Sequence, residues 1–197
     1  AGSGTKQHPT QALLDIYTLE KSFERIGGID GKTIMLVGDL KRGRTVRSLC
    51  LLMKNYQGVN LLLAAPEKYQ MGEDILAILD AHGVKYSKIN SLDEGLPHAD
   101  AVYMTRIQDE WDNLAPGTHT KAGESFIFRF EHLDRMKRTA CLLHPLPKRD
   151  EIEEAVDYCG DRRVVYWRQE RNGMWMRVAI IARLFRVDGQ IMAAAHG

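Results

Sequence analysis

Short runs that are apolar at every position, each closed by a turn and followed by a helical pattern, constrain this chain more than any other feature. Thr33 to Val37 (TIMLV) ends at Gly38-Asp39, and a helical pattern follows from about Thr45 to Asn55. Val59 to Ala65 (VNLLLAA) is closed by Pro66, and Glu73 to His82 carries apolar residues at helical spacing up to Gly83. Val84 to Ile89, Ala101 to Thr105 (AVYMT) and Ala140 to His144 (ACLLH) read as further strands, with Val164 to Trp167 as a short sixth. A strand that is apolar throughout must be covered on both faces, and strands alternating with helices build a parallel sheet. The expected fold is therefore α/β: a three-layer sandwich with a parallel, Rossmann-like sheet and helices on both faces. Flanking helices are expected over about residues 8–25 and 172–187. Leu13, Leu14, Tyr17 and Phe23 of the first lie near one face, as do Met174, Trp175, Val178, Ile181 and Leu184 of the second. Both stripes read as core. Asp188 to Gly197 reads as a frayed tail, and residues 1–197 as one domain.

Composition narrows the partners. Lys plus Arg total 27 against 26 Asp plus Glu, so neither nucleic acid nor an anionic membrane is expected to bind. No apolar run approaches the roughly 20 residues of a membrane helix, and Ala1 to Gln7 is too polar for a signal peptide. Cys50 and Cys141 sit in apolar runs and, with Cys159, make an odd set without metal-ligand spacing. They read as free thiols of a cytoplasmic protein, and no metal is expected.

Ligands of open parallel sheets bind beyond the carboxyl ends of the strands. Asp39 to Arg44, Thr105 to Gln108 and His144 to Pro147 each directly follow a strand. The first is a glycine-containing turn with Lys41, Arg42 and Arg44 within four positions, lacking the spacing of a dinucleotide fold or a P-loop. The planar fork of Arg44 suits a carboxylate. Arg106 and Gln108 alternate past their strand and so reach one pocket. Pro145 and Pro147 stiffen the third turn around Leu146. A fourth segment, His8-Pro9-Thr10-Gln11, opens a helix, whose free amides and partial positive charge suit anions. Taken alone, each segment also reads as a plain helix cap, solvated basic turn or loop.

HPTQALLD, VGDLKRGRTVRSL, YMTRIQ and HPLPKRDEI, in this order and spacing, resemble the C-terminal, aspartate-binding half of aspartate carbamoyltransferase over roughly Ala1 to Val187. The resemblance implies condensation of carbamoyl phosphate with L-aspartate to carbamoyl-aspartate and phosphate, in pyrimidine synthesis, without metal or organic cofactor. It implies that His8 hydrogen-bonds the carbonyl oxygen of carbamoyl phosphate and that Gln11 contacts its amino group. Arg44 and Arg106 would grip the aspartate carboxylates, Gln108 would assist, and the backbone around Pro145 and Leu146 would line the carbamoyl site. Lys41 and Arg177 stand nearby without an assigned role. An ornithine-type relative would have His-Pro-Cys-Gln, His-Cys-Leu-Pro and a Ser-Met-Gly loop, none of which occurs here. The family's Ser-x-Arg-Thr-Arg phosphate loop is also missing, Ser3 replaces a usual Asp, Trp111 a usual Arg, and Lys148 a common Arg. The N-terminal carbamoyl-phosphate domain is thus expected to be absent. The chain would then work with a separate carbamoyl-phosphate-binding domain or chain, bind aspartate weakly by itself, or serve as a non-catalytic binding or assembly module. The outer apolar faces of the two flanking helices would lack a partner, so a homo-oligomer is also expected.

Overall fold

Strands β1 (Thr33–Val37), β2 (Asn60–Ala64), β3 (Lys85–Ile89), β4 (Ala101–Met104) and β5 (Cys141–Leu143) pair in the order β3-β2-β1-β4-β5, all parallel. The computed structural model of the chain describes residues 7–106 and 124–196. Because successive side chains of a strand point to opposite faces, each apolar run feeds two cores. Ile34 and Leu36 join Leu61, Leu63 and Tyr103 on one face, and Met35 and Val37 join Leu62, Val102 and Met104 on the other. The edge strand β3 is mostly exposed, and Lys85 and Lys88 guard it against pairing with another chain.

Helices α1 (Pro9–Phe23), α2 (Arg44–Met53) and α3 (Glu73–Ala81) cover the first face through residues such as Leu19, Leu49 and Leu79. The second face is closed by shorter pieces. These are α4 (Leu92–Gly95), a 3-10 helix (Phe130–Arg135) and α5 (Ala155–Tyr158), which contribute Leu92, Leu133 and Val156. The long α6 (Tyr166–Leu184) packs along α1, and α7 (Asp188–His196) follows it. The three-layer α/β sandwich read from the sequence is the fold found.

Four expectations need correction. Val164 makes a single bridge to Leu142 rather than a sixth strand, because the chain turns into α6 at the buried Tyr166. For the same reason α6 begins six residues earlier than the expected 172. The C-terminal stretch is helical rather than frayed. The apolar stripe of α6 is also not core: Met174, Trp175, Val178, Ile181 and Leu184 are each about half exposed or more, and only Tyr166, Gln169, Gly173 and Ala182 of this helix are buried. Cys50 and Cys141 are buried free thiols as expected, and burial pushes both up to about 12, so neither is reactive. Among the described residues no helix is long and apolar enough to cross a membrane.

The strand order reverses on either side of β1, so the crevice beyond the ends of β1 and β4 is the topological switch point. Gly38 makes that crevice tight. Its φ is +111°, and a Cβ there would run into the Thr105 carbonyl oxygen and lie 2.7 Å from the Thr105 hydroxyl. Gly27 has a similar φ of +91° but nothing within 4 Å. Gly27→Ala should therefore cost about 1 kcal/mol, the penalty of a left-handed L-residue alone, and Gly38→Ala about 3 kcal/mol or more, since steric overlap adds to it. Urea unfolding of the two variants decides: equal losses would mean that the Gly38–Thr105 approach does not matter.

Candidate active site

Four segments converge at the switch point. Beyond β1, the buried Asp39 folds its turn around itself. Its carboxylate accepts from the Arg42 backbone N–H (2.9 Å) and the Arg42 Nε (2.6 Å), while its carbonyl accepts from the Gly43 N–H at 3.1 Å. Gly43 is the N-cap of α2, and a Cβ there would strike the Asp39 carbonyl. Arg44, the first residue of α2, is thereby set at a helix N-terminus beside the sheet. The Arg47 guanidinium, paired with Asp74, also donates to the Lys41 carbonyl at 3.4 Å, tying the turn to α3.

Beyond β4, Thr105 stays tied to β1: its N–H and its hydroxyl both donate to the Val37 carbonyl, at 2.8 and 2.7 Å. The half-buried Arg106 is the next residue. Beyond β5, His144 is buried and organises the proline turn. Its Nδ1 accepts the Leu146 N–H at 2.9 Å, so Nε2 carries the proton and donates to Glu151 at 2.7 Å. Burial works to raise the Glu151 carboxyl, but the hydrogen bonds it accepts from His144 and from two backbone N–H groups outweigh it and hold the group below the usual range. Leu146 has φ +50° and precedes a cis peptide bond to Pro147. A leucine held in the left-handed region marks a backbone shape that its surroundings impose.

At the head of α1, His8 is the N-cap, and its Nδ1 accepts the Gln11 backbone N–H at 3.2 Å. Burial, then the charges of Arg44 and Arg177, lower its pKa below the ordinary histidine value. A neutral ring with Nδ1 occupied keeps its proton on Nε2, leaving a donor for a ligand.

These four segments line one cavity of about 250 Å³: His8 and Gln11 of α1, Gly43 to Thr45, Thr105 and Arg106, and His144 to Pro147. His8, Gln11, Arg44, Arg106, Pro145 and Leu146 are thus brought together. Lys41 is exposed and is not among the described residues lining this space. Arg177 lines an adjoining cavity of about 530 Å³ between α1 and α6, which shares Gln11, His144 and Pro145 with the first. Gln108 and Trp111, like Ser3, lie outside the described residues.

Sequence reasoning missed the support beneath the cavity. Asp15 is fully buried and accepts from Gln11 Nε2 (2.9 Å), Gln169 Nε2 (2.7 Å) and the Tyr103 hydroxyl (2.6 Å). Gln169 in turn accepts the His144 N–H at 2.9 Å. The signal was present: Gln11, Asp15, Thr18 and Ser22 follow the i, i+4, i+7, i+11 spacing of one helical face, a polar stripe amid the leucines of α1. Asn172 and Arg168 of α6 bond Thr18 and Ser22 along that stripe. Among the described residues no group of three or more His, Cys, Asp or Glu is placed to hold a metal ion.

Comparison with known proteins identifies the family of the domain. Residues 30–184 match the Asp/Orn-binding domain of the aspartate/ornithine carbamoyltransferases. Chloroplastic aspartate carbamoyltransferase 1 of Pisum sativum is 42% identical over 181 residues, which cover 92% of this chain and 46% of the pea protein. The catalytic subunit of M. jannaschii aspartate transcarbamoylase superposes with a TM-score of 0.83 at 35% identity, covering 96% of this chain and 59% of that one. Trypanosoma cruzi aspartate transcarbamoylase, solved with carbamoyl aspartate and phosphate, gives 0.77 at 36% identity over 92% of this chain and 55% of that one. The chain therefore spans about half the length of the relatives it matches. With the family match running through the whole sheet and α6, the chain belongs to the aspartate/ornithine carbamoyltransferase family and carries its Asp/Orn-binding domain.

Proposed function

We propose that this chain is the aspartate-binding half of an aspartate carbamoyltransferase, transferring the carbamoyl group of carbamoyl phosphate to L-aspartate. The observation that carries this reading is one cavity lined by two arginines, a histidine whose Nε2–H is not taken by any described residue and the Pro145–Pro147 turn. The arginine forks of Arg44 and Arg106 suit the two carboxylates of aspartate, with Gln108 assisting. A cationic ornithine side chain would be repelled there. The aspartate amine attacks the carbamoyl carbon, forming a C–N bond; the C–O bond to phosphate breaks, and the departing phosphate takes the proton that the amine gives up. The His8 Nε2–H meets the carbonyl oxygen as charge grows on it. Pro145 has no N–H and that of Leu146 is taken by His144, so this turn offers the carbamoyl NH2 carbonyl acceptors. No protein nucleophile is needed, because positioning two anions together supplies the advantage.

Phosphate binding falls to a carbamoyl-phosphate-binding domain or chain. The exposed apolar residues of α1 and α6, Leu13 at 39%, Trp175 at 57% and Leu184 at 74%, support such a partner, or a second copy in a homo-oligomer. The buried free thiols suit a cytoplasmic setting.

The test is formation of carbamoyl-aspartate from carbamoyl phosphate and aspartate, by the chain alone and with a carbamoyl-phosphate-binding half supplied. Arg106→Ala should raise the aspartate KM roughly 10- to 100-fold, the worth of charged hydrogen bonds, and Arg106→Lys should not restore it. Absence of product in both arrangements, or an Arg106→Ala variant with unchanged aspartate KM, would refute the reading. His8→Asn separates two roles. Asparagine caps a helix as well as histidine does, so unfolding free energy should hold within about 1 kcal/mol, while kcat falls about 10²- to 10³-fold with the lost donor. A kcat that survives this change would remove His8 from the chemistry.

A further inference from the structure

A buried carboxylate without a cation is costly, and the Asp15 position on α1 faces a core in which leucine would be at home. Asp15 makes no ion pair among the described residues; its partners are Gln11 of α1, Gln169 of α6 and Tyr103 of β4. What this arrangement fixes is direction. An ionised carboxylate only accepts, so each partner must turn a donor toward it. Gln169 is locked independently, because its carbonyl oxygen already accepts the His144 N–H and its NH2 must face Asp15. The Tyr103 hydroxyl donates to the second oxygen. Among the described residues the Gln11 carbonyl oxygen has no such anchor: its NH2 is held at Asp15, beside the Tyr103 hydroxyl. With the NH2 turned inward, the carbonyl oxygen is the end left for the two cavities that Gln11 lines.

We infer that Asp15 is a positioning residue whose carboxylate holds Gln11 with its carbonyl oxygen toward the cavity, so that the site selects a substrate bearing an N–H at that point. This deepens, and rests on, the assignment of carbamoyl phosphate as substrate: a carbamoyl group offers the N–H, and an acetyl group of the same shape offers only a methyl. The same carboxyl, protonated, would need an acceptor. Gln11 supplies one only by rotating its amide, which turns NH2 into the cavity and abolishes the preference. Burial raises the Asp15 carboxyl to about 7 against the three hydrogen bonds that favour its charge. The switch therefore lies in the neutral range, with selectivity present above it and lost in acid. The other titratable or charged groups around it are Tyr103, itself pushed up by burial and then by Asp15, His8 at the head of α1, Arg44 of α2, His144 after β5, and Glu170 and Arg177 on the cavity side of α6.

Two measurements test this. In the wild-type chain, the side-chain amide NMR signals of Gln11 and Gln169 are followed across the neutral range, together with the Asp15 carboxyl carbon. All three should move with one midpoint near 7, and both amides should be flat in Asp15→Asn. A Gln11 amide that stays still while Asp15 titrates overturns the proposal, and this arm requires neither substrate nor a folded variant. In the second arm, carbamoyl phosphate is compared with acetyl phosphate in the assay described above. Asp15→Asn should narrow the preference for carbamoyl phosphate roughly 10- to 100-fold, the worth of one mispaired buried hydrogen bond, with the aspartate KM changed less than about threefold. Gln11→Ala combined with Asp15→Asn should lose little more than either alone. An equal fall for both phosphates would mean that Asp15 merely supports the fold. If the wild type uses neither phosphate, the functional reading fails instead, and the amide titration alone decides on Asp15.

Discussion

The carbonyl oxygen of Val37 accepts hydrogen bonds from both the backbone N–H and the hydroxyl of Thr105, at 2.8 and 2.7 Å, just where β1 and β4 end. That double bond pattern holds the two strands side by side past the point where a ladder would normally stop. The glycine at position 38 permits it, since any side chain there would displace Thr105. The two arginines of the cavity inherit their positions from this junction. Arg44 follows from the Asp39 turn that leaves β1, and Arg106 from Thr105 itself. Crevices at a strand-order reversal are the natural ligand sites of doubly wound sheets because the two exits splay apart. Here Thr105 keeps them close enough for two arginines on different strands to line one cavity of about 250 Å³.

A second layer works from beneath. His8, Gln11 and Asp15 span about two turns at the head of α1, and each has one face toward the cavity or toward a neighbour that shapes it. Asp15 links α1 to β4 through Tyr103 and to the exit of β5 through Gln169 and His144, so three of the four converging segments meet in a single carboxylate. The arrangement opposes stability. The native pKa of Asp15 lies above its ordinary value of 3.8, so folding favours the protonated form. The stability this group contributes is complete below 3.8 and is lost as pH rises through about 7. The ionised form is the one that orients Gln11, which places local order of the site and maximal stability at opposite ends of the same titration.

The sheet was legible because burial on both faces leaves an unambiguous pattern: TIMLV, NLLLA and AVYM need no context to be read as central parallel strands. The turns after them were legible as candidate binding loops for the same reason. Val164 to Trp167 was misread because a single β-bridge and the first turn of a buried helix look alike over four apolar residues. The stripe of α6 was misread because periodicity reports that a helix has an apolar face, and not what covers it. Asp15 was passed over because a lone acid in a leucine-rich helix does not by itself identify partners 88 and 154 residues away. Its spacing from Gln11, Thr18 and Ser22 did mark the polar stripe.

Helix α6 shows how burial and exposure divide the labour. Its inner side offers α1 a glycine and polar groups: Gly173 lets the helices approach until a Cβ would lie 3.2 Å from Leu14, while Gln169 and Asn172 reach Asp15 and Thr18. Its exposed side carries Trp175, Val178 and Ile181, each about half exposed, with Met174 at the rim of the larger cavity, an inversion of the usual arrangement in which the apolar face turns inward. Directional bonds thus fix the geometry of the cavity wall, and the non-directional attraction of the apolar face is left for whatever covers it. A cover seated there would lie along the same helix that reaches His144 and Asp15 through Gln169, so its docking and the order of the cavity act on one element. Coupling between the two requires that the helix have two arrangements whose balance both contacts bias.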